Sequence, residues 1–187
     1  MFLPAKRAGA INIRFDQHKL ARWFAALATA GALTAFAASP DVVDHAFSFN
    51  TRYDDQDAEV LDYRYGKSRL PVRAPEQAVR EGKAFRSTNV NGPMLRGDFL
   101  YVKWRSLSTG REYEDTVDLR QRLPDDIANH RIHFIVKGAQ LYVYLISPRR
   151  RPPDAPADGP RMYRNLESRL IYPDPPQPEL PASKGSP

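Results

Sequence analysis

The residues best suited to chemistry in this chain are two histidines, His130 and His133, which follow the aspartates Asp125 and Asp126. Imidazole and carboxylate groups bind zinc, but a zinc site needs three or four ligands that converge on one point. The apolar alternation around His133 is typical of a β-strand, on which residues three apart point to opposite faces. We therefore expect no metal site, with His130 in a turn and His133 on the face of a sheet.

Carboxylates form two further groups. Glu112, Glu114 and Asp118 fall on one face of a predicted strand, where paired acids could hydrolyse a glycosidic bond if they shared a cleft. Lys103 and Arg105 lie on the preceding predicted strand, so mutual neutralisation across the strands is the simpler interpretation. The aspartates at positions 54, 55 and 57 lack the glycine and the distal glutamate of an EF-hand loop, and indicate a solvated turn.

The sequence contains no motif for nucleophilic catalysis or phosphate binding. No serine stands in a glycine-framed elbow, and no glycine-rich phosphate loop occurs. The absence of cysteine removes disulfides and thiolate metal ligands. A hydrolase would require residues 82–97 to bring Ser87, Asn89 or Asn91 to one of the two histidines. We therefore expect no enzyme activity, no catalytic residue and no cofactor.

The most concentrated positive charge is the run Arg149, Arg150 and Arg151, which stands between two prolines and is followed by more arginines up to position 164. Such a run could contact nucleic acid, anionic lipid head groups or an acidic protein. A basic run between prolines is also typical of a solvated loop. We keep the three arginines as candidate binding residues.

Residues 23–38 form an uncharged apolar run that is preceded by five lysines and arginines and ends near Ala35, Phe36 and Ala37. A basic lead, an apolar middle and small residues at the exit are typical of a secretory signal peptide. We predict export to the periplasm with cleavage after Ala37, or an inner-membrane anchor if residues 1–37 are retained. The formal net charge of +6 falls to about +2 without this leader, so nucleic acid is not an expected partner.

The remaining residues predict one β-rich domain over 38–172 and a disordered proline-rich tail over 173–187. A first hairpin is expected around the turn at residues 54–57, joining strands that contain Phe47 and Phe49 and then Tyr63 and Tyr65. Residues 66–97 are expected to be irregular, with one helical turn at residues 76–81. Residues 162–172 fit either a strand or a helix, and a strand is favoured.

Two later hairpins are specified more closely. For residues 99–107 and 112–119, a register that sets Trp104 opposite Asp115 pairs apolar with apolar residues, while a three-residue loop would set Leu100 opposite Asp118 instead. In the next hairpin, the Gly138-Ala139 turn predicts one apolar face. The pairs on that face are Val136 with Leu141, Phe134 with Val143, and Ile132 with Leu145.

The opposite face of this hairpin carries His133 across from Tyr144, and Ile135 across from Tyr142. Aromatic groups of this kind suit a binding surface, in which case His133, Tyr142 and Tyr144 should be at least partly exposed. The alternative is a second layer over this face, formed by residues 162–172 or 82–97. We keep these three residues as candidate binding residues.

Three segments carry a resemblance: VLDYRYGKS at residues 60–68, GDFLYVKWRSLSTGREYEDTVDL at 97–119, and RIHFIVKGAQLYVYLISP at 131–148. Over about residues 57–172 the chain resembles an uncharacterised family of small exported or lipoprotein-type domains of Gram-negative bacteria. Some proteins of this kind resemble immunity partners of toxic effectors, notably lipases, that type VI secretion delivers. Ala37 and Ala38 stand where such a lipoprotein would have its lipidated cysteine, so the chain departs from the family there.

Together these features predict a mainly β protein, a small antiparallel sandwich or half-open barrel built from hairpins. We expect it to be a non-enzymatic exported domain that binds another macromolecule, in the specific version an immunity-type partner of a secreted toxin. The alternative is a membrane-tethered structural or assembly component of the envelope that touches anionic lipid through its arginine run.

Overall fold

The computed structural model describes residues 42–69, 71–156 and 159–174. The predicted signal or anchor segment, residues 1–37, lies outside these residues, as does the predicted tail from residue 175 onward. Within the described residues, no helix has the length and apolarity needed to cross a bilayer.

The protein is mainly β, as the sequence predicts. The strands are β1 (Val42–Asn50), β2 (Ala58–Tyr65), β3 (Ser87–Leu95), β4 (Phe99–Ser106), β5 (Glu112–Asp118), β6 (Arg131–Lys137), β7 (Gln140–Arg150) and β8 (Leu166–Tyr172). A short helix α1 (Glu76–Arg80) follows β2, and one turn of 3₁₀ helix (Arg161–Tyr163) precedes β8. The strands form a five-stranded sheet, in the order β3-β1-β6-β7-β8, and a three-stranded sheet, in the order β2-β4-β5.

The predicted first hairpin is wrong, because β1 and β2 belong to different sheets. Phe47 of β1 stacks on Tyr65 of β2 at 5.2 Å between ring centroids, and Phe49 meets Tyr63 edge-on at 5.1 Å, so the two strands face each other across the core. β1 pairs instead with β3 in antiparallel fashion and with β6 in parallel. The alternating aromatics correctly indicate two strands, but their stacking joins two sheets.

The segment 66–97 contains a strand that the sequence analysis missed. β3 includes Gly92 and Pro93, residues that interrupt a strand pattern. Proline is tolerated here because β3 is the edge strand of its sheet and has a hydrogen-bonded neighbour on one side only. The helical turn expected nearby is confirmed as α1.

Both registers considered for β4 and β5 are wrong. The structure pairs Leu100 with Val117 and Trp104 with Tyr113. A four-residue loop, residues 107–110, sets this register, and Gly110 takes a φ of 68° in it. Asp57 fixes the loop from the side, since its carboxylate accepts hydrogen bonds from the Ser108 backbone N–H and the Ser106 hydroxyl. Contacts from a distant segment therefore outweigh the matching of apolar pairs.

The hairpin of β6 and β7 has the predicted register on both faces. Its apolar face is fully buried and forms the centre of the core that the two sheets share, with Phe134 stacked on Phe49 at 4.6 Å. The strand favoured for residues 162–172 is confirmed over β8, which pairs with β7. The connection between β7 and β8 runs from residue 151 to 165, and we call it the β7–β8 loop.

Candidate functional site

The surface of interest is the outer face of the five-stranded sheet, which points away from the core. Side chains alternate along each strand, so the neighbours of the core residues Phe47, Phe134 and Val143 lie on this face. The residues of this outer face are Asn89 and Asn91 on β3, Ala46 and Ser48 on β1, Arg131, His133 and Ile135 on β6, and Tyr142, Tyr144 and Ile146 on β7.

The β7–β8 loop packs on the outer face. Its Tyr163 ring meets the His133 ring edge-on at 5.1 Å, and the Tyr163 hydroxyl lies 3.2 Å from Ser48 Oγ. Further along, the Arg161 backbone N–H donates to Asp54 Oδ1 at 2.8 Å, and the Arg161 guanidinium forms an ion pair with Asp55 at 2.6 Å. The second layer over this face is therefore real, and it comes from the loop before β8.

These contacts correct the interpretation of residues 54–57 as a solvated turn. Asp54 is buried, and Asp54 and Asp55 both have positive φ values, 62° and 54°. Positive φ is strained for residues other than glycine and persists where the surroundings hold it. Here the hydrogen bond and the ion pair to Arg161 hold the turn, so the aspartates anchor the β7–β8 loop.

Tyr163 of the loop forms a polar cluster with two buried residues of the sheet, Ser48 and His133. Ser48 Oγ is 2.9 Å from His133 Nδ1, and His133 Nε2 has no hydrogen-bond partner. Burial, and then the positive charge of Arg131, lower the pKa of His133 to about 3. The imidazole is therefore neutral at neutral pH, and the cluster links the loop to the sheet through uncharged groups.

The expectation that His133 is partly exposed is wrong, because its exposed fraction is 0%. The loop covers it, so His133 does not reach a partner in this conformation. Tyr142 and Tyr144 are half-buried, as a binding surface would require, although Tyr144 also lies close to Gly159 of the loop. The sequence could not reveal the cluster, since His133 lies 85 residues and Tyr163 lies 115 residues after Ser48 along the chain.

Next to this cluster, Arg131 is held by amides and an aromatic ring. Its Nη1 donates to Asn89 Oδ1 and its Nη2 to Asn91 Oδ1, both at 2.6 Å, and its guanidinium lies 5.4 Å from the centre of the Tyr163 ring. Residues 82–97 thus bring Asn89 and Asn91 to Arg131, and Asn91 lines one pocket with His130, where no hydrogen bond between the two is seen. No carboxylate of a described residue forms an ion pair with Arg131.

The predicted basic loop is in part a strand. Arg149 and Arg150 end β7, and Arg149 forms an ion pair with Glu167 of β8 at 2.9 Å. Arg151 begins the loop, with its backbone N–H donating to Asn165 O and its guanidinium to Pro156 O. These contacts close the base of the β7–β8 loop, and Arg149 and Arg150 are both exposed.

On the three-stranded sheet, the predicted neutralisation of the β5 acids by Lys103 and Arg105 holds for Glu112 alone, and Asp118 pairs with Arg120 instead. Glu112 binds Lys103 and Arg105, each at 2.8 Å, and these hydrogen bonds lower the pKa of Glu112. Tyr101 donates to Glu114 at 3.0 Å. Within the described part of the chain, no group of three or more histidines, aspartates and glutamates is placed to hold a metal ion.

Comparisons with protein-family models, with curated proteins and with solved structures found no match for this chain.

Proposed function

We propose that this chain is an exported binding domain of the bacterial envelope, which recognises another macromolecule through the outer face of its five-stranded sheet. In its specific version, the partner is a secreted toxin and the chain is an immunity-type protein. The basic and apolar leader supports export. The resemblance stated above supports the immunity role.

The observation that carries the proposal is the accessible strip beside the β7–β8 loop. Tyr142 and Tyr144 project from the same face of β7 and are half-buried, while Met162 of the loop is 42% exposed. Tyrosine and methionine are enriched at the cores of protein interfaces, and tyrosine buries much area with little loss of rotamer freedom. The loop covers part of the sheet, and the aromatic residues beside the loop are suited to contact a partner protein.

A site-specific photo-crosslinker tests this surface in cells that export the chain. Placed at Tyr142, it should yield one discrete adduct with the partner. Placed at Thr116, an exposed residue of β5 on the other sheet, it should yield none. Equal adducts at both positions, or no adduct at Tyr142, would contradict the proposed surface.

With the captured partner purified, Tyr142→Ala should weaken binding by more than tenfold, which corresponds to about 1.4 kcal/mol or more. The melting temperature should stay within a few degrees of wild type. The double change Tyr142→Ala with Tyr144→Ala should weaken binding further, but Tyr144 also lies near the loop, so the single variant is the cleaner test. Full affinity in the folded single variant would refute the role of Tyr142.

Two further measurements separate the versions of the proposal. An immunity protein should protect cells from the envelope toxicity of the captured partner, and Tyr142→Ala should lose that protection. Intact-mass analysis of the periplasmic fraction should find the chain cleaved after Ala37. A species that keeps Met1, sediments with membrane and binds anionic vesicles through Arg149, Arg150 and Arg151 would support the tethered envelope component instead.

A further inference from the structure

An open pocket of about 340 Å³ lies on the outer face of the five-stranded sheet, beside the buried Ser48 cluster. Ala46 and Ile146, both buried, form its base, and Leu166 contributes further apolar surface. Arg131, Tyr163 and Asp44 also line it. The volume is at the lower end of the range for small-molecule sites, which are typically apolar with a few fixed polar groups.

Arg131 is the arginine among the polar residues that line this pocket, which also include Asp44, Asn91, Asn129 and His130. A guanidinium has five N–H groups, and only two of them have an acceptor among the described residues, the amide oxygens of Asn89 and Asn91. The two amides and the Tyr163 ring fix the plane of the guanidinium without neutralising it. The other three N–H groups have no acceptor among the described residues, so they can donate to an anion in the pocket.

The residues that line the pocket indicate which class of anion it can bind. A planar carboxylate can take two parallel N–H groups of one guanidinium, so a single arginine suffices for it. Asp44 lines the same pocket and would repel a dianion such as phosphate more strongly than a monoanion. The apolar base favours a ligand with a short hydrocarbon body and disfavours a second carboxylate.

We propose that this pocket binds a small monocarboxylate with an apolar body, whose carboxylate pairs with Arg131 and whose hydrocarbon part packs on Ala46 and Ile146. The site is independent of the proposed function, since it needs no macromolecular partner. His130 lines the same pocket and provides a ring whose NMR signals report occupancy.

The test is an NMR titration of the full chain at constant ionic strength, following the Arg131 Nε–H and the His130 ring. The probe is isovalerate, a branched monocarboxylate, with succinate and inorganic phosphate in separate titrations. Isovalerate should give saturable shifts of both signals with a dissociation constant in the millimolar range, about what seven non-hydrogen atoms can provide. Succinate and phosphate should bind at least tenfold more weakly. No saturable shift with isovalerate, or tighter binding of phosphate, would overturn the proposal.

Asn91→Asp is the decisive variant. It keeps the shape of the side chain and places a carboxylate within reach of Arg131 Nη2, so it should reduce isovalerate binding at least tenfold while leaving the melting temperature no lower than wild type. Arg131→Gln should also abolish binding. The matched control is Arg111→Gln. Arg111 also lies over a tyrosine ring, but that ring belongs to Tyr113 of the three-stranded sheet. Unchanged binding in Asn91→Asp, or an equal loss in Arg111→Gln, would refute the site.

Discussion

The outer faces of the two sheets carry similar residue types, but they differ in whether their arginines form ion pairs. On the three-stranded sheet, Arg105 contacts both Glu112 and Glu59, and Lys103 contacts Glu112. On the five-stranded sheet, Arg131 contacts two amides and a ring and forms no ion pair with a described residue. The first face pairs its charges within itself, whereas the second keeps an unpaired arginine beside a buried neutral histidine.

The tyrosines of the two faces differ in the same way. Arg64 lies 4.5 Å from the centre of the Tyr101 ring, and the Tyr101 hydroxyl donates to Glu114 near solvent. The Tyr163 hydroxyl instead meets Ser48 beneath the β7–β8 loop. An arginine and a tyrosine therefore form a solvated network on one face and a partly buried anchor on the other. The difference comes from the β7–β8 loop, which covers part of the outer face of the five-stranded sheet.

The largest expected effect is on the core that both sheets share. No substitution on either outer face should lower the free energy of unfolding as much as one in this core. Phe134→Ala removes a fully buried ring that stacks on Phe49 and should lower the free energy of unfolding by about 3 to 5 kcal/mol. Arg150→Ala, on the exposed end of β7, should change it by no more than about 0.5 kcal/mol. Denaturant titration measures both, and equal losses would show that the core lies elsewhere.

The sequence predicts this core well because its signals are local. The glycine of the Gly138-Ala139 turn and the alternation on either side fix the register of β6 and β7. The pairing of β1 could not be predicted, because Phe47 and Phe49 stack across the sheets on residues that a hairpin would place beside them. The register of β4 and β5 depends on Asp57, about fifty residues upstream of the loop that it binds.

The candidate site was predictable only in part. The alternation correctly places His133, Tyr142 and Tyr144 on one face, and the tyrosines are accessible. The burial of His133 depends on Tyr163, and the state of Arg131 depends on Asn89 and Asn91, all distant in sequence. No spacing rule connects such residues, because the β7–β8 loop and the edge strand β3 reach this face through tertiary contacts.

The second largest effect is a dependence of stability on pH, which should differ between the two faces. The pKa of His133 is lowered from its ordinary value of 6.5 to about 3, so the unfolded chain binds more protons than the folded one between these values. Stability should therefore be undiminished above about pH 6.5 and fall by about 1.4 kcal/mol per pH unit below it, a loss of about 2 kcal/mol between pH 7 and 5. Denaturant titrations at the two pH values measure the loss.

The three-stranded face should respond only at lower pH. The pKa of Glu112 is lowered from 4.5, so its contribution is present above that value and is lost as the pH falls through the lowered pKa. His133→Gln should flatten the dependence between pH 7 and 5, whereas the control His130→Gln should keep it. A wild-type stability that stays constant from pH 7 to 5 would contradict a buried neutral His133.

A smaller effect should separate the two tyrosines. Tyr163→Phe deletes the hydroxyl that meets Ser48 under the loop and should cost about 1 kcal/mol of stability, the usual value for a buried hydrogen bond. Tyr101→Phe deletes a hydroxyl near solvent, where water replaces the bond to Glu114, and should cost close to nothing. Urea titrations at pH 7 compare the pair. Equal costs would remove the distinction between a partly buried anchor and a solvated network.

The smallest effect is expected where the charges are already satisfied. Arg105→Ala should lower the melting temperature by about 2 °C or less, because Lys103 remains to pair with Glu112 and both partners are partly exposed. The difference from wild type should vanish in 1 M sodium chloride, since the Debye length is then about 3 Å. Glu112→Gln removes the partner of both cations and should therefore have the larger effect of the two at low salt. A loss in Arg105→Ala that persists in high salt would show that the aliphatic part of this side chain, and not its charge, stabilises the face. That result would weaken the contrast with Arg131, whose charge has no such partner.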